Sequence, residues 1–333
     1  MPVTAKDVAR ELGLSQSTVS RILNGDAQYR VAADTRGRVL DTARRLGYQP
    51  NAVARSLRRG RTNIIGVYTN HDYDVRNDFM GTIVGSLQRE CEPRNLDLLL
   101  HSALHDQSSG DVYGKLRDGR IDGLILHASS DDPLVAVLGN SSLPVVSVAD
   151  LLPHLSGVTS DDADGMSQLI HYLWERSYRC YVYLEPKMPL GSVERRKSAF
   201  LANLKNRGLP NECMHVIGID FEQTDPVLQR LTMLGPGVAV CCWNDRTAYG
   251  LLKSCLDNGI PVPEQMAIAG FDGFISDKIP ARELVTIACP WEQVATSAVS
   301  LLMQRIESKA SDSRKLPPSE ICLPVKLLPG DTA

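Results

Sequence analysis

The sequence predicts an all-α helix-turn-helix head followed by a two-lobed α/β body in which parallel sheets are flanked by helices. Three observations predict it. Residues 4–24 carry two short apolar helical stripes joined at a glycine, residues 64–288 alternate apolar strand-like runs with helical periodicity, and a basic head precedes an acidic remainder. A chain of 333 residues is also too long for one ordinary core, and 43% hydrophobic residues with only 5% aromatic suit a body built on Val, Leu, Ile and Ala.

In the head, Val8 and Leu12 stand four apart on the first helix, and Val19, Ile22 and Leu23 follow i, i+3, i+4 spacing on the second. Thr4 with Asp7, and Ser15 with Thr18, read as N-cap sites, and Gly13 supplies the permissive backbone of a sharp turn. Helices this short do not hold alone, so a third must cover them. Thr35 to Leu46 is the candidate, with Val39, Ala43 and Leu46 inward and Gly47 as its end. Outward on the second helix stand Gln16, Ser17, Ser20 and Arg21, side chains of the kinds that fit base edges in a major groove. The plainer alternative is a solvated polar face.

Pro50-Asn51 then stops one element and can cap the next. Ala52 to Arg58 is spaced for a two-turn helix, with Ala54 and Leu57 three apart, too short to be stable by itself. Residues 1–61 carry 12 Lys and Arg against five Asp and Glu, a balance of +7, while the remainder carries 24 against 34, a balance of −10. A basic head on an acidic body is the footprint of a nucleic-acid-binding module attached to something else.

Strands are expected at Ile64 to Tyr68, Leu96 to Leu100, Ile121 to Leu126 and Val145 to Val148. Helical spacing at Phe79, Ile83, Leu87 and Cys91 falls between the first two. A second set follows at Cys180 to Leu184, Met214 to Ile217, Val238 to Cys242 and Met266 to Phe271, ahead of a last helix at Trp291 to Ile306. Such alternation predicts parallel sheets covered on both faces. No apolar run approaches the length of a membrane span, and the N-terminus lacks a signal peptide's apolar core, so a cytoplasmic protein with no membrane partner is expected. Eight cysteines without CxxC pairs read as reduced core residues, and His101 and His105 straddle a strand end, so neither a metal nor another cofactor is expected.

Ligands of open parallel sheets bind beyond the carboxyl ends of the strands, which makes the polar residues there the ones to inspect. These are Asn70, Asp72, His127, Asp150, Asn244, Asp245 and Asp272, joined by Arg196, with Phe79, Trp243 and Trp291 as flat walls. A carboxylate, an amide and a guanidinium converging on a cleft suit vicinal hydroxyls or another small polar ligand. Structural alternatives are that Asp245 caps the next helix and that Asp272 and Arg196 form a lobe-to-lobe salt bridge.

The opening VTAKDVARELGLSQSTVSRILNG, then Tyr48-Gln49-Pro50-Asn51, then Ala52-Val53-Ala54-Arg55-Ser56-Leu57, resembles the lac repressor (LacI/GalR) family of bacterial regulators in order and spacing, and the likeness runs through nearly the whole chain. It implies a DNA-binding domain over residues 1–50, a hinge over 51–61, and an effector-binding and dimerisation domain over 62–333 of the periplasmic-binding-protein-like (type I) architecture. Lobe 1 would span about 62–160 plus 290–325, and lobe 2 about 161–288. Arg196, Asn244 and Asp272 match positions the family uses on effectors. The hinge would fold on DNA and drive Leu57 into the minor groove as a wedge.

The DNA-contacting set is then Thr4, Ser15, Gln16, Ser17, Thr18, Ser20, Arg21, Asn24, Tyr48, Asn51, Ala54, Arg55 and Leu57. The implied partners are a pseudo-palindromic double-stranded operator, a second copy of the chain and a small effector such as a carbohydrate. Two departures weigh against a plain sugar: Ala149 stands where many members have an aspartate, with Asp150 one later, and Cys289 where some have a polar side chain. The competing class is a cytoplasmic small-molecule-binding protein or enzyme on the same body. An enzyme needs a nucleophile or phosphate cradle, and Gly110 with Gly114-Lys115 is one residue too close for a P-loop, with Leu116 in place of its Ser/Thr.

Overall fold

The computed structural model describes residues 3–25, 29–51, 54, 56, 60–69, 78–101, 108–187, 190–220, 223–274, 282–308 and 317–333. Two compact units emerge, Met1–Asn63 and Ile64–Ala333.

The head consists of α1 (Ala5–Leu12), α2 (Gln16–Leu23) and α3 (Ala33–Leu46). Local chemistry sets its ends. Thr4 and Asp7 form a reciprocal capping box on α1, Ser15 accepts from the Thr18 N–H on α2, and Gly13 takes the left-handed conformation between them. Val8, Ala9, Val19, Ile22, Val39 and Ala43 make the buried core, with Leu12, Leu23, Leu46 and Tyr48 packed around it. The third helix begins two residues earlier than its apolar spacing suggests. Asn51 then accepts from the Ala54 N–H at 3.2 Å, and Ala54 and Ser56 are helical. Arg55 and Leu57 lie outside the described residues.

In the body, β1 (Ile64–Thr69), α4 (Asp78–Cys91), β2 (Asp97–Leu100), α5 (Ser109–Leu116), β3 (Gly123–His127), α6 (Pro133–Gly139), β4 (Val145–Val148) and β5 (Ser156–Ser160) lead into α7 (Asp162–Glu175). There follow β6 (Cys180–Pro186), α8 (Gly191–Asn206), β7 (Met214–Ile219), α9 (Asp225–Thr232), β8 (Val238–Cys242), α10 (Asp245–Asp257), β9 (Met266–Ala269) and β10 (Thr286–Ala288). The chain closes with α11 (Trp291–Glu307), β11 (Glu320–Leu323) and β12 (Lys326–Leu328).

The first sheet has six parallel strands in the order β11-β5-β4-β3-β1-β2, and the second has four in the order β7-β6-β8-β9. Each order reverses once, between β1 and β3 and between β6 and β8, so a crevice opens at the carboxyl ends of those strands. The chain crosses between the lobes three times: from β5 to α7, from β10 to α11, and from β11 to β12, which pairs antiparallel with β10. Helix α11 packs back on α4 and on β3, β4 and β5, where Trp291, Val294, Ala298, Val299 and Leu302 complete the first lobe's core.

Four strands escape the sequence pattern. Ser156-Gly-Val-Thr-Ser is polar in composition yet buried along its whole length, because small side chains let α11 lie close against it. Strands β10, β11 and β12 are only three or four residues long. At the other end of β9 the expected strand is too long: it stops at Ala269, and Asp272 joins the sheet through a single bridge to Ala288.

Candidate ligand cleft and nucleic-acid interface

Arg196 occupies the second turn of α8 and is 3% exposed. Its Nε donates to Asp162 Oδ1 at 2.8 Å, one Nη to the Trp243 carbonyl at 2.6 Å, and the other reaches Asp272 Oδ1 at 3.4 Å, with the guanidinium 3.8 Å from the centre of the Phe271 ring. Burial works against this charge, but the Asp162 and Asp272 carboxylates outweigh it and hold Arg196 above its ordinary range. Arg196 and Asp272 both belong to the second lobe, so their pair is internal to that lobe, not a bridge between lobes as the sequence left open.

Asp272 sits at φ 124°, a region that costs a side chain about 1–3 kcal/mol and persists only under constraint. The constraint is visible: its N–H donates to the Ile287 carbonyl at 2.8 Å, and its carbonyl accepts from Cys289 at 3.1 Å. Burial pushes its carboxyl well above the usual range, with Arg196 opposing.

The bridge between lobes is Arg195, the neighbour of the residue expected from the sequence. From α8 it reaches Asp150 at 3.2 Å, the Ala149 carbonyl at 3.0 Å and Thr159 Oγ1 at 3.2 Å in the first lobe, while its Nε donates to Asp162 at 2.9 Å. Asp162, 1% exposed in its side chain, therefore joins both arginines. Asp150 lies against the first turn of α8, where a Cβ on Gly191 would come 2.8 Å from its Oδ1. A larger residue there would push the Asp150 carboxylate and the Arg195 guanidinium out of their present positions. No amphipathic signal marks Asp162, because its role depends on two arginines more than thirty positions away.

Asn244, not Asp245, caps α10, accepting from the Thr247 N–H at 2.8 Å, and is 8% exposed. Asp245 turns inward instead, accepting from the Thr286 hydroxyl and from the Phe274 N–H at 2.6 Å. Burial pushes its carboxyl up to about 7 against those hydrogen bonds. The alternative that Asp245 caps this helix is thus one residue off, since Asn244 takes extended backbone and leaves Asp245 inside the first turn.

On the first-lobe side, Phe79 stands 5.1 Å from the His127 ring and 4.9 Å edge-on from Trp291. Burial drives His127 down to about 4, so it is neutral near pH 7. The Trp291 indole N–H is buried without a hydrogen-bond partner in the described residues. The structure therefore gathers Phe79, His127 and Trp291 on one side and Arg196, Trp243 and Asp272 on the other. It assigns Asn244 to capping and Asp150 to the interlobe contact. Asn70 and Asp72 lie outside the described residues. Among those described, no group of three His, Cys, Asp or Glu could hold a metal, and no helix is long and apolar enough to cross a membrane.

On the head, Gln16, Ser17 and Arg21 are exposed on α2. Arg21 lies 5.0 Å over the Tyr29 ring, which limits where its fork can point. Thr18 is half-buried, sharing its hydroxyl with Ser15 at 2.9 Å and Tyr29 at 3.0 Å. Asn24 folds back on the Ser20 carbonyl at 2.6 Å, Thr4 is spent on its capping box, and Tyr48 packs on the core.

Residues 4–51 match the bacterial regulatory proteins of the lacI family, and residues 170–333 a periplasmic binding protein-like domain. Over 98% of both chains the sequence is 30% identical to the sucrose operon repressor of Pediococcus pentosaceus. It is 27% identical to the transcriptional repressor PurR of Vibrio cholerae over 93% of this chain and 94% of that one. The lac repressor dimer bound to operator and the anti-inducer ONPF superposes with a TM-score of 0.83 at 21% identity, covering 100% of this chain and 99% of that chain.

Proposed function

The chain belongs to the LacI family of bacterial regulatory proteins, and we propose that it is a dimeric, cytoplasmic transcriptional repressor whose hold on a pseudo-palindromic operator is set by a small polar effector between the lobes of its body. The observation that carries this reading is the capped helix-turn-helix head with Gln16, Ser17 and Arg21 exposed on one helix, at the front of a chain alignable end to end with a named repressor. Family members are regulators, and we read this chain as one and not as an enzyme.

Gln16 and Ser17 read base edges, and Arg21, steadied over Tyr29, provides a fork to a guanine or a phosphate. Backbone amides at the start of α1, with nearby Lys and Arg, hold the DNA backbone. The hinge carries Leu57 as the minor-groove wedge, and two heads related by a twofold axis demand two half-sites. In the body, Arg196 and Asp272 hold the polar edge of the effector while Phe79, Trp243 and Trp291 cover its apolar faces; a carbohydrate or its derivative fits that mixture. The effector acts by its differential affinity for two arrangements of the lobes.

Oligonucleotide selection with the purified full chain tests this. A twofold-symmetric site should emerge, and Arg21→Ala should weaken it by about 1–3 kcal/mol while relaxing preference at one base position. Recovery of no site over random competitor would overturn the function; an unchanged Arg21→Ala affinity would overturn only the role of Arg21.

A further inference from the structure

We propose that the first lobe carries a second small-molecule site, for a phosphate-like oxyanion, in a cavity at the amino ends of β4, β5 and β11, the end of the sheet opposite the interlobe cleft. The cavity is about 390 Å³ and is lined at its polar side by Asn140, Ser141, Ser142, His154, Ser156 and Arg305. Among the described residues no carboxylate lines it.

The arrangement of donors is what points to an anion. Ser141 Oγ accepts from the Leu143 N–H at 3.2 Å, Ser142 Oγ from Arg117 Nη2 at 3.1 Å, and Ser156 Oγ from the Ser319 N–H at 2.9 Å. With an acceptor lone pair of each hydroxyl engaged by an N–H, their O–H groups remain to donate. Arg305 donates to the Pro317 carbonyl at 2.7 Å, and among the described residues it has no acidic partner and its Nε is buried without a hydrogen bond. Burial accordingly pulls the Arg305 guanidinium below its ordinary range. Arg117, which meets Ser142, adds a second cation at the rim.

The ends of α6 and α11 nearby would oppose an anion through their free carbonyls. Those carbonyls are already served: Asn140 Nδ2 donates to Ala136 at 2.9 Å, the Ser141 N–H to Leu138 at 3.0 Å, and Ser308 Oγ to Arg305 at 2.9 Å. These donors suit an acceptor-rich, negatively charged guest. A tetrahedral oxyanion offers several oxygens to three hydroxyls and one forked guanidinium.

The test uses the full chain and inorganic phosphate. At matched ionic strength, thermal unfolding should shift upward with phosphate over chloride in the millimolar range, and titration calorimetry should give a single site per chain. Arg305→Gln should weaken phosphate binding about tenfold or more, the value of a lost hydrogen bond to a charged group, while Arg305→Lys keeps part of it. Glycerol phosphate in a parallel titration separates the sources of the anion: tighter binding than inorganic phosphate identifies a phosphomonoester, weaker binding the free ion. Absence of a phosphate-specific shift in the wild type overturns the site. So does an equal shift in Arg305→Gln, and Ser142→Val with unchanged phosphate affinity would do the same if the arginine variant fails to fold.

Discussion

Asp245 is the residue whose chemistry most sharply separates position in sequence from position in space. It follows the cap of α10, yet its carboxyl is 1% exposed and pushed up to about 7 by burial, from a model-peptide value of 3.8. A carboxyl whose folded pKa lies above its unfolded one binds more protons when folded, so its contribution to stability falls as pH rises between those two values and is level above them. The protein should therefore lose stability from about pH 4 to about pH 7 through this group. In Asp245→Asn the amide oxygen can accept from the Phe274 N–H and the amide nitrogen can donate to Thr286 Oγ1, which removes the titration and keeps both partners. Urea unfolding at several pH values should show the variant more stable than wild type at pH 7.5, with the gap closing toward pH 4. A gap independent of pH would show that Asp245 is ionised throughout.

At the scale of elements, the head was legible because its signals are local. A capping box at Thr4 and Asp7, a serine cap and a left-handed glycine are all written within four residues of where they act. The buried strands of both sheets were legible for a similar reason, since runs such as Val238 to Cys242 are apolar at every position. What escaped depends on partners far along the chain. Strand β5 is polar and becomes a strand because β4, β11 and α11 enclose it, and the last residues look like a polar end yet return to the second lobe. There Thr332 is fully buried, donating to the Ile268 carbonyl at 2.7 Å and accepting from the Val285 N–H at 3.0 Å, while Asp331 meets Arg282 at 2.9 Å. The cleft divides in the same way. Arg196 and Asp272 could be placed from strand ends and family likeness, but Arg195 and Asp162 required the fold. Replacing Thr332 with Val keeps the shape and strips the Val285 N–H of its acceptor. Chemical denaturation should report a loss of about 1–3 kcal/mol; a neutral result would mean the C-terminal segment is not docked on the second lobe in solution.

At the scale of the whole molecule, two kinds of electrostatics share one chain and should answer differently to salt. The head holds its +7 balance on side chains such as Arg10, Arg38, Arg44 and Arg45 that are exposed to solvent, and its ion pairs with Asp7, Asp41 and Glu11 are exposed as well. The body, at −10 overall, keeps Asp150, Asp162 and Arg196 out of water, with Arg195 bridging the two carboxylates. Exposed charges are screened over about 10 Å at 0.1 M salt, whereas buried pairs are screened far less. Operator affinity should therefore fall steeply with salt, because each neutralised phosphate releases a counterion, and a protein making six or more such contacts loses about 10³-fold or more between 50 and 200 mM. Over the same range the unfolding free energy of the body should stay nearly constant. Fluorescence anisotropy on a labelled operator and urea melts at matched salt concentrations measure the two together. If affinity and body stability declined in parallel, the loss of binding would be a loss of folding, and the separation of a screened reading head from an unscreened sensing core would have to be abandoned.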